Sequence, residues 1–220
     1  MNYEQLINYL FDNSNPKFAT FSKTLSNSDY QVIGIKNPQL RQIIKDHVDD
    51  NEMNLDDFKL GVYLEIDFIY FGLSLSRLKE SNKQLAFLKE KIRYAKSWAI
   101  TDCISTFLKK VSFVEFYDFF LQTYKSKHTY ERRMAYVLAL KQYKDKSILK
   151  ILDLIQLNEQ YMVMMAQAWL LSVIAIVYED KIYDYLANCP DIVLKRKTIS
   201  KISDSFRFDN TSKDRFKSLR

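Results

Sequence analysis

Residues 161–178 read YMVMMAQAWLLSVIAIVY, the stretch of the chain that comes nearest to a continuous apolar run. Only Gln167 and Ser172 interrupt its apolar and aromatic side chains. A helix that is apolar on all sides is typical of the core of a helical protein. The two polar side chains and the limited length argue against a membrane span. We therefore predict a buried helix here, packed among other helices.

Amphipathic segments flank this stretch on both sides, with apolar residues at spacings of three and four. Asn37-Pro38 marks one helix start, with Asn37 as the N-cap and Pro38 at the first helical position. Only three Gly and three Pro occur among 220 residues, which fits long helices joined by short polar loops. The predicted helices span residues 3–11, 37–48, 55–62, 64–78, 84–94, 98–108, 113–124, 130–143, 147–157, 161–177, 180–187 and 194–202.

Short connections make adjacent helices antiparallel, and from residue 64 onward the helix pairs repeat at roughly 30–40 residues. This period favours an all-α, HEAT-like-repeat solenoid of antiparallel helix pairs with a concave groove. A four-helix bundle with additions is the structural alternative. We predict one repeat domain over residues 1–208, followed by a basic C-terminal tail over residues 209–220.

Basic charge is concentrated in two parts of the chain. Residues 79–150 carry 16 basic and seven acidic side chains, and residues 195–220 carry nine and three. Residues 1–78 carry seven basic and 11 acidic side chains, and residues 151–194 carry one and six. A polyanion partner would bind the basic parts. A solvated lysine surface is the alternative explanation of the same pattern.

Several classes of protein find no support in the sequence. The N-terminal residues lack a basic region before an apolar run, so we predict no signal peptide and a cytoplasmic location, with no membrane partner. Cys103 and Cys189 lack metal-ligand spacing and are predicted to be free thiols. His47 and His128 cannot form a metal site by themselves, so we predict no metal. No Gly-rich phosphate loop and no nucleophile elbow occur, and we predict no cofactor.

Four residues are candidates for chemistry. Trp98 and Asp102 lie four residues apart in a predicted helix and so share one face. Asp102 stands among mostly apolar neighbours, an unusual position for an acid. Arg133 and Trp169 lie within later helices. Each has a simpler explanation, because a Trp often belongs to the core, an Asp can serve as a helix cap, and an Arg can pair with an acid.

Five motifs, in order, resemble those of the HEAT-like-repeat DNA alkylation-repair glycosylases of the AlkD type. The first, IGIKNPQLRQIIKD at residues 33–46, carries a Gly-x-x-x-Pro-x-x-Arg pattern followed by Lys. The others are SWAITD at residues 97–102, RRMAYVLAL at 132–140, AQAWLL at 166–171 and LKRKTISKI at 194–202. The residues that carry the first match are Gly34, Pro38, Arg41 and Lys45. The resemblance covers about residues 3–205.

This resemblance implies a concave groove for duplex DNA and hydrolysis of the N-glycosidic bond of cationic N3- or N7-alkylpurines, with the lesion recognised outside any base pocket. It places Trp98 and Trp169 against the deoxyribose of the lesion and gives Asp102 the supporting role in catalysis. The implied DNA-binding residues, with Arg133 on backbone phosphate, are Arg132, Arg133, Lys195 and Arg196. We accordingly expect these side chains to converge in one cleft.

Three features depart from the family pattern. Ser, Thr or Asn fill eight of the 15 positions in residues 14–28, so we predict a loop or broken helix where the family has a DNA-contacting helix. Leu171, Ser172 and Val173 stand where the family usually has Leu-Arg-Glu. The N-terminal third is net acidic.

The sequence therefore leaves two main functions open. One is an active alkylpurine glycosylase. The other is a family paralogue with weak DNA binding and little or no excision, acting as a binding or interaction module. A protein-binding HEAT scaffold unrelated to DNA is a third alternative. In either main case we predict a monomer that binds duplex DNA weakly and mostly through electrostatics.

Overall fold

The structure is a computed structural model and describes residues 1–26 and 28–220. The described residues form an all-helical fold that contains no strand, only one isolated bridge between Gln31 and Tyr63. The chain divides into two compact units, Met1–Val111 and Ser112–Arg220. None of the described helices is long and apolar enough to cross a membrane. The predicted all-α class is thus confirmed.

The first unit contains six α-helices and three short 3₁₀ helices among its described residues. The α-helices are α1 Tyr3–Asp12, α2 Pro16–Ser26, α3 Asn37–His47, α4 Leu64–Arg77, α5 Ser81–Lys91 and α6 Trp98–Ile104. The 3₁₀ helices are Leu55–Asp57, Ile92–Tyr94 and Ser105–Phe107. Helix α4 is buried over most of its length and packs against α3 and α6, so it forms the centre of this unit.

The second unit is likewise built around one buried helix. Its α-helices are α7 Phe113–Thr123, α8 Thr129–Ala139, α9 Tyr161–Ile174, α10 Glu179–Ala187, α11 Ile192–Asp204 and α12 Asn210–Lys217. The 3₁₀ helices are Leu140–Gln142 and Lys146–Leu154. Helix α9 packs against α8 and α11. Residues 161–174 of the apolar stretch therefore form a helix that is buried over most of its length, as the composition predicts, and the helix ends three residues before the predicted end.

Two segments predicted as helices form 3₁₀ rather than α-helical structure. Residues 55–62 form only the 3₁₀ turn Leu55–Asp57, because Asn54 caps a turn whose next residue, Phe58, is already extended. Residues 147–157 adopt the longer 3₁₀ helix Lys146–Leu154 instead of an α-helix. The helix start predicted at Asn37-Pro38 shifts by one residue, since Asn37 is already helical and Lys36 is the N-cap.

The prediction of a loop or broken helix at residues 14–28 is wrong, because Pro16–Ser26 is a continuous α-helix. Asn27 lies outside the described residues. The Asn15 side chain caps α2 by accepting the amide of Phe18 at 2.9 Å, with Pro16 at the first helical position. Thr20 and Thr24 donate to carbonyls one turn back, so their hydroxyls find partners within the helical conformation.

Tertiary contacts supply the stability that the helix propensity of α2 lacks. The amide of Asn15 donates to the carbonyl of Gly34 at 3.2 Å. Gly34 has φ +104°, and a Cβ there would lie 2.4 Å from the Asn15 carbonyl oxygen. At the other end, the ammonium of Lys23 donates to the carbonyls of Ser28, at 2.6 Å, and Tyr30. Helix α2 is thus fastened at both ends.

The residues predicted as a basic tail contain α12, which packs against α11. Asp209 caps the helix by accepting the amide of Ser212 at 2.8 Å. Phe216 is fully buried, and Arg215 binds Glu179 and lies over the ring of Tyr183 at 4.3 Å. The buried ring of Phe216 and the ion pairs of Arg215 with Glu179 and Asp180 therefore fix a segment that was predicted as a basic tail.

Candidate functional site

Helix α6 presents Trp98 and Asp102 on one face, one turn apart. Ser97 caps the helix by accepting the amide of Ala99 at 3.1 Å, and this cap places Trp98 at the first helical position. Both candidate side chains are partly exposed. The Thr101 hydroxyl lies within hydrogen-bond distance of the Trp98 carbonyl, at 3.1 Å, and of an Asp102 oxygen, at 3.2 Å. The predicted pair is therefore assembled within the first unit, with an acid and an indole side by side.

Trp98 is bonded to α2. Its indole N–H donates to the carbonyl of Leu25 at 3.3 Å. A mostly apolar cavity of about 370 Å³ lies between α2, the start of α3, α4 and α6. Phe21 and Leu25 are 61% and 54% exposed and line it from α2. The other side chains around it include Phe18, Pro38, Leu40, Leu64, Phe68, Trp98 and Cys103. The helix that the sequence failed to predict thus forms one wall of the candidate site.

Arg41 fixes the end of α6. Its guanidinium donates to the Thr106 hydroxyl at 2.8 Å and to the Cys103 carbonyl at 3.4 Å. It also lies over the rings of Phe107 and Phe68, at 5.1 and 5.8 Å. Arg41 belongs to the first of the five motifs, and here it holds the segment that directly follows Asp102.

Glu65 is a buried carboxylate whose oxygens hold the chain that precedes α3. It accepts the amides of Ile33 at 3.0 Å, Gly34 at 2.8 Å and Ile35 at 3.4 Å. Only 1% of Glu65 is exposed. Three backbone donors replace the water that the charge gives up, so Glu65 can remain buried next to the cavity. The sequence analysis did not single out Glu65. Its position in the mostly apolar run LEIDFIYF, at residues 64–71, could have indicated a buried acid.

Asp67, two residues further along α4, is also fully buried. Its carboxylate accepts the Tyr30 hydroxyl and the Gly61 amide, the latter at 2.9 and 3.1 Å. Burial raises the pKa of Asp67 to about 6, and the hydrogen bonds from Tyr30 and Gly61 and the charge of Lys96 oppose that rise. The carboxylate is therefore neutral below about pH 6 and ionised above it.

Asp67→Asn should remove a pH dependence of stability. Because the native pKa, about 6, exceeds the ordinary value of 3.8, the folded state binds the proton more tightly than the unfolded chain. The contribution of Asp67 to stability is thus largest below about pH 4 and declines as pH rises to about 6, by on the order of 3 kcal/mol. Urea unfolding at pH 4 to 7 should show wild type losing stability relative to Asp67→Asn as pH rises. A difference that stays constant, or that grows in favour of wild type, would contradict the assignment.

In the second unit, Trp169 lies on α9 beside a cation from α11. The ammonium of Lys201 is 6.0 Å from the centroid of the indole ring. Trp169 is partly exposed and lines a cavity of about 340 Å³, together with Ser172, Val173, Ile176, Lys201, Asp204, Ser205 and Arg207. Helix α11 therefore places a cation beside Trp169. The last motif, LKRKTISKI, contains Lys201, so the sequence held the signal.

The two arginines of α8 are already engaged within the second unit. Arg133 is 6% exposed and donates to the carbonyl of Met162. Arg132 donates to the carbonyl of Ser126 at 2.6 Å and forms an ion pair with Glu159 at 3.1 Å. Arg133 is therefore buried and Arg132 only partly exposed, and their contact with backbone phosphate stays a prediction.

The basic residues at the start of α11 are more accessible. Arg196 is exposed and Lys195 is partly exposed. Their placement on the first turns of a helix leaves both side chains able to meet a polyanion. Trp98 and Asp102 belong to the first unit, whereas Arg133 and Trp169 belong to the second. The expected convergence of all four in one cleft stays a prediction. No group of residues able to hold a metal ion occurs in the described part of the chain.

The first unit thus carries a partly exposed indole and an acid one turn apart on α6, and the second carries an indole near the lysine of α11. The family model described as DNA alkylation repair enzyme matches residues 6–203. The chain belongs to this family, and its role is in DNA repair. The resemblance inferred from the five motifs is thereby confirmed. Searches of curated proteins and of solved structures returned no significant match.

Proposed function

We propose that this protein is a DNA glycosylase that hydrolyses the N-glycosidic bond of cationic N3- or N7-alkylpurines in duplex DNA. The observation that carries the proposal is the pairing of Trp98 and Asp102 on one face of α6, both partly exposed. Membership of a DNA alkylation repair family supports damaged DNA as the general class of substrate.

The chemistry needs few groups. An alkylated purine already carries a positive charge, so the bonding electrons pass to the base as the C1′–N bond breaks, and the base leaves neutral. Positive charge then develops on the deoxyribose, as in other glycoside hydrolysis. The Asp102 carboxylate stabilises this cation and orients the water that adds to C1′, while the indole of Trp98 lies against the sugar. The water loses a proton to solvent as it adds, so the products are a neutral free base, an abasic site and a proton.

This mechanism supplies no general acid for the leaving base, and that feature makes the proposal testable. Duplexes that contain one 7-methylguanine, one uracil or one hypoxanthine differ in the charge of the leaving base. We expect cleavable abasic sites to form only in the 7-methylguanine duplex. Release of the two neutral bases at comparable rates would show that another chemistry operates.

The family paralogue with weak DNA binding and little excision remains the second candidate, and one observation favours it. Arg132 is paired with Glu159, and Arg133 is buried against the Met162 carbonyl, so two expected phosphate contacts are occupied. Against it stands α2, a complete helix beside Trp98 where the sequence suggested a loop. Under this second function the 7-methylguanine duplex would be bound but left intact.

DNA affinity should depend on Arg196 more than on Arg132. Arg196→Gln removes an exposed charge and should reduce the slope of log K against log salt by about 1. Arg132→Gln should leave that slope nearly unchanged, since Glu159 already neutralises the guanidinium. Fluorescence anisotropy with a labelled duplex at several salt concentrations measures both slopes. A larger change for Arg132→Gln than for Arg196→Gln would reverse this assignment of the DNA contacts.

A further inference from the structure

Tyr30 lies between the two helices that form the candidate site of the first unit. It is fully buried, and its hydroxyl donates to Asp67 while accepting the amide of Lys96 at 3.2 Å. Lys96 directly precedes the N-cap of α6. The phenol therefore connects the buried start of α4 to the residue from which α6 begins.

The backbone of Tyr30 holds the other helix. Its carbonyl accepts the ammonium of Lys23, which lies near the end of α2. Leu25 lies in the same last turn of α2 as Lys23, and its carbonyl accepts the indole N–H of Trp98 at 3.3 Å. Thus α2 and α6 are joined twice, once directly through Trp98 and once through the two ends of Tyr30.

Asp67 keeps this arrangement in place. Its oxygens are shared between Tyr30 and the Gly61 amide, and the Gly61 carbonyl accepts the ammonium of Lys96 at 3.0 Å. The amide of Lys96 is therefore bonded to Tyr30 and its ammonium to Gly61, and both of these residues are hydrogen-bonded to Asp67. A closed set of hydrogen bonds of this kind restricts the start of α6 more than a single bond does.

We propose that Tyr30, held by Asp67, is a positioning residue that fixes α2 to the start of α6 and so sets the orientation of Trp98 and Asp102. This inference rests on the proposed function for its effect on excision. Its effect on Trp98 is independent of that function, since a hydrogen-bonded indole changes its exposure when its partner helix moves.

Tyr30→Phe removes only the hydroxyl and is the primary test. The chain has two tryptophans, so Trp169→Phe leaves Trp98 as the sole source of indole fluorescence. In this background, Tyr30→Phe should shift Trp98 emission to longer wavelength and raise its acrylamide quenching constant about twofold. In the chain with both tryptophans, it should slow single-turnover release of 7-methylguanine about tenfold and leave duplex affinity unchanged, because small misplacements of reacting groups are costly.

The matched control is Tyr136→Phe, which removes the hydroxyl of an equally buried tyrosine from the second unit. It should leave Trp98 fluorescence and excision unchanged. Lys23→Met, at an exposed position, removes the hydrogen bond from Lys23 to the Tyr30 carbonyl and should also raise the quenching of Trp98. This variant tests the inference even if Tyr30→Phe folds poorly.

Unchanged Trp98 quenching in both variants overturns the inference, whatever the excision rate. A changed Trp98 signal with wild-type excision kinetics overturns it as well. If the wild-type chain releases no base, the proposed glycosylase function fails, and the quenching comparison alone then decides whether Tyr30 positions Trp98.

Discussion

Asp102→Asn is expected to reduce the rate constant for 7-methylguanine release by about 10²–10³-fold. The amide keeps the shape of the side chain and removes the negative charge that faces the developing sugar cation. Asp102 is partly exposed, so the substitution is made outside the buried core. Single-turnover kinetics with excess protein isolate the chemical step from product release.

Asp102→Asn should change the rate constant for excision without lowering the affinity for the duplex. Removing a carboxylate near DNA phosphates should leave duplex affinity unchanged or slightly higher. Asp118→Asn, at an exposed position on α7, makes the same chemical change elsewhere and should keep the wild-type rate. If Asp102→Asn retains more than about a third of the wild-type rate constant, electrostatic stabilisation by Asp102 is not part of the reaction.

Glu65→Ala is expected to be the most destabilising single change considered. It deletes three hydrogen bonds to a carboxylate and leaves the amides of residues 33–35 buried without an acceptor, which costs about 3–5 kcal/mol. For a chain of this size that corresponds to a fall in Tm of roughly 10 °C. Thermal unfolding followed by circular dichroism at 222 nm measures the effect.

Two further variants show what Glu65 contributes. Glu65→Gln keeps one side-chain oxygen as an acceptor and replaces the other with an NH₂ group, which cannot accept a backbone amide. We therefore expect an intermediate loss of stability. Glu90→Ala removes an exposed glutamate and should change stability by less than about 0.5 kcal/mol. Equal Tm values for Glu65→Ala and Glu90→Ala would contradict the role assigned to the buried carboxylate.

Most of the fold was predictable because apolar periodicity is strong in this chain. Helices α4 and α9 are buried on nearly all sides, and their largely apolar composition predicts this burial. The spacing of Trp98 and Asp102 likewise placed both on one face of α6, since helical geometry alone decides that.

Helix α2 was missed because its stability is not local. Its serines and threonines favour other conformations, and the contacts that offset them come from Gly34, Tyr30 and Trp98, which lie outside the helix. The partners of Arg132 and Arg133 could not be identified from the sequence for the same reason. Their partners, Glu159 and the carbonyl of Met162, lie about one helix further along the chain.

The central claim is most directly tested by the rate at which free 7-methylguanine appears when excess wild-type protein is mixed with a duplex that contains this base. Mass spectrometry identifies the released base, and the same duplex without protein gives the spontaneous rate. We expect release well above the spontaneous rate, at least about 100-fold, with an abasic site formed for each base released. A rate equal to the spontaneous one, with the duplex demonstrably bound, would contradict the glycosylase assignment and leave the DNA-binding paralogue as the function.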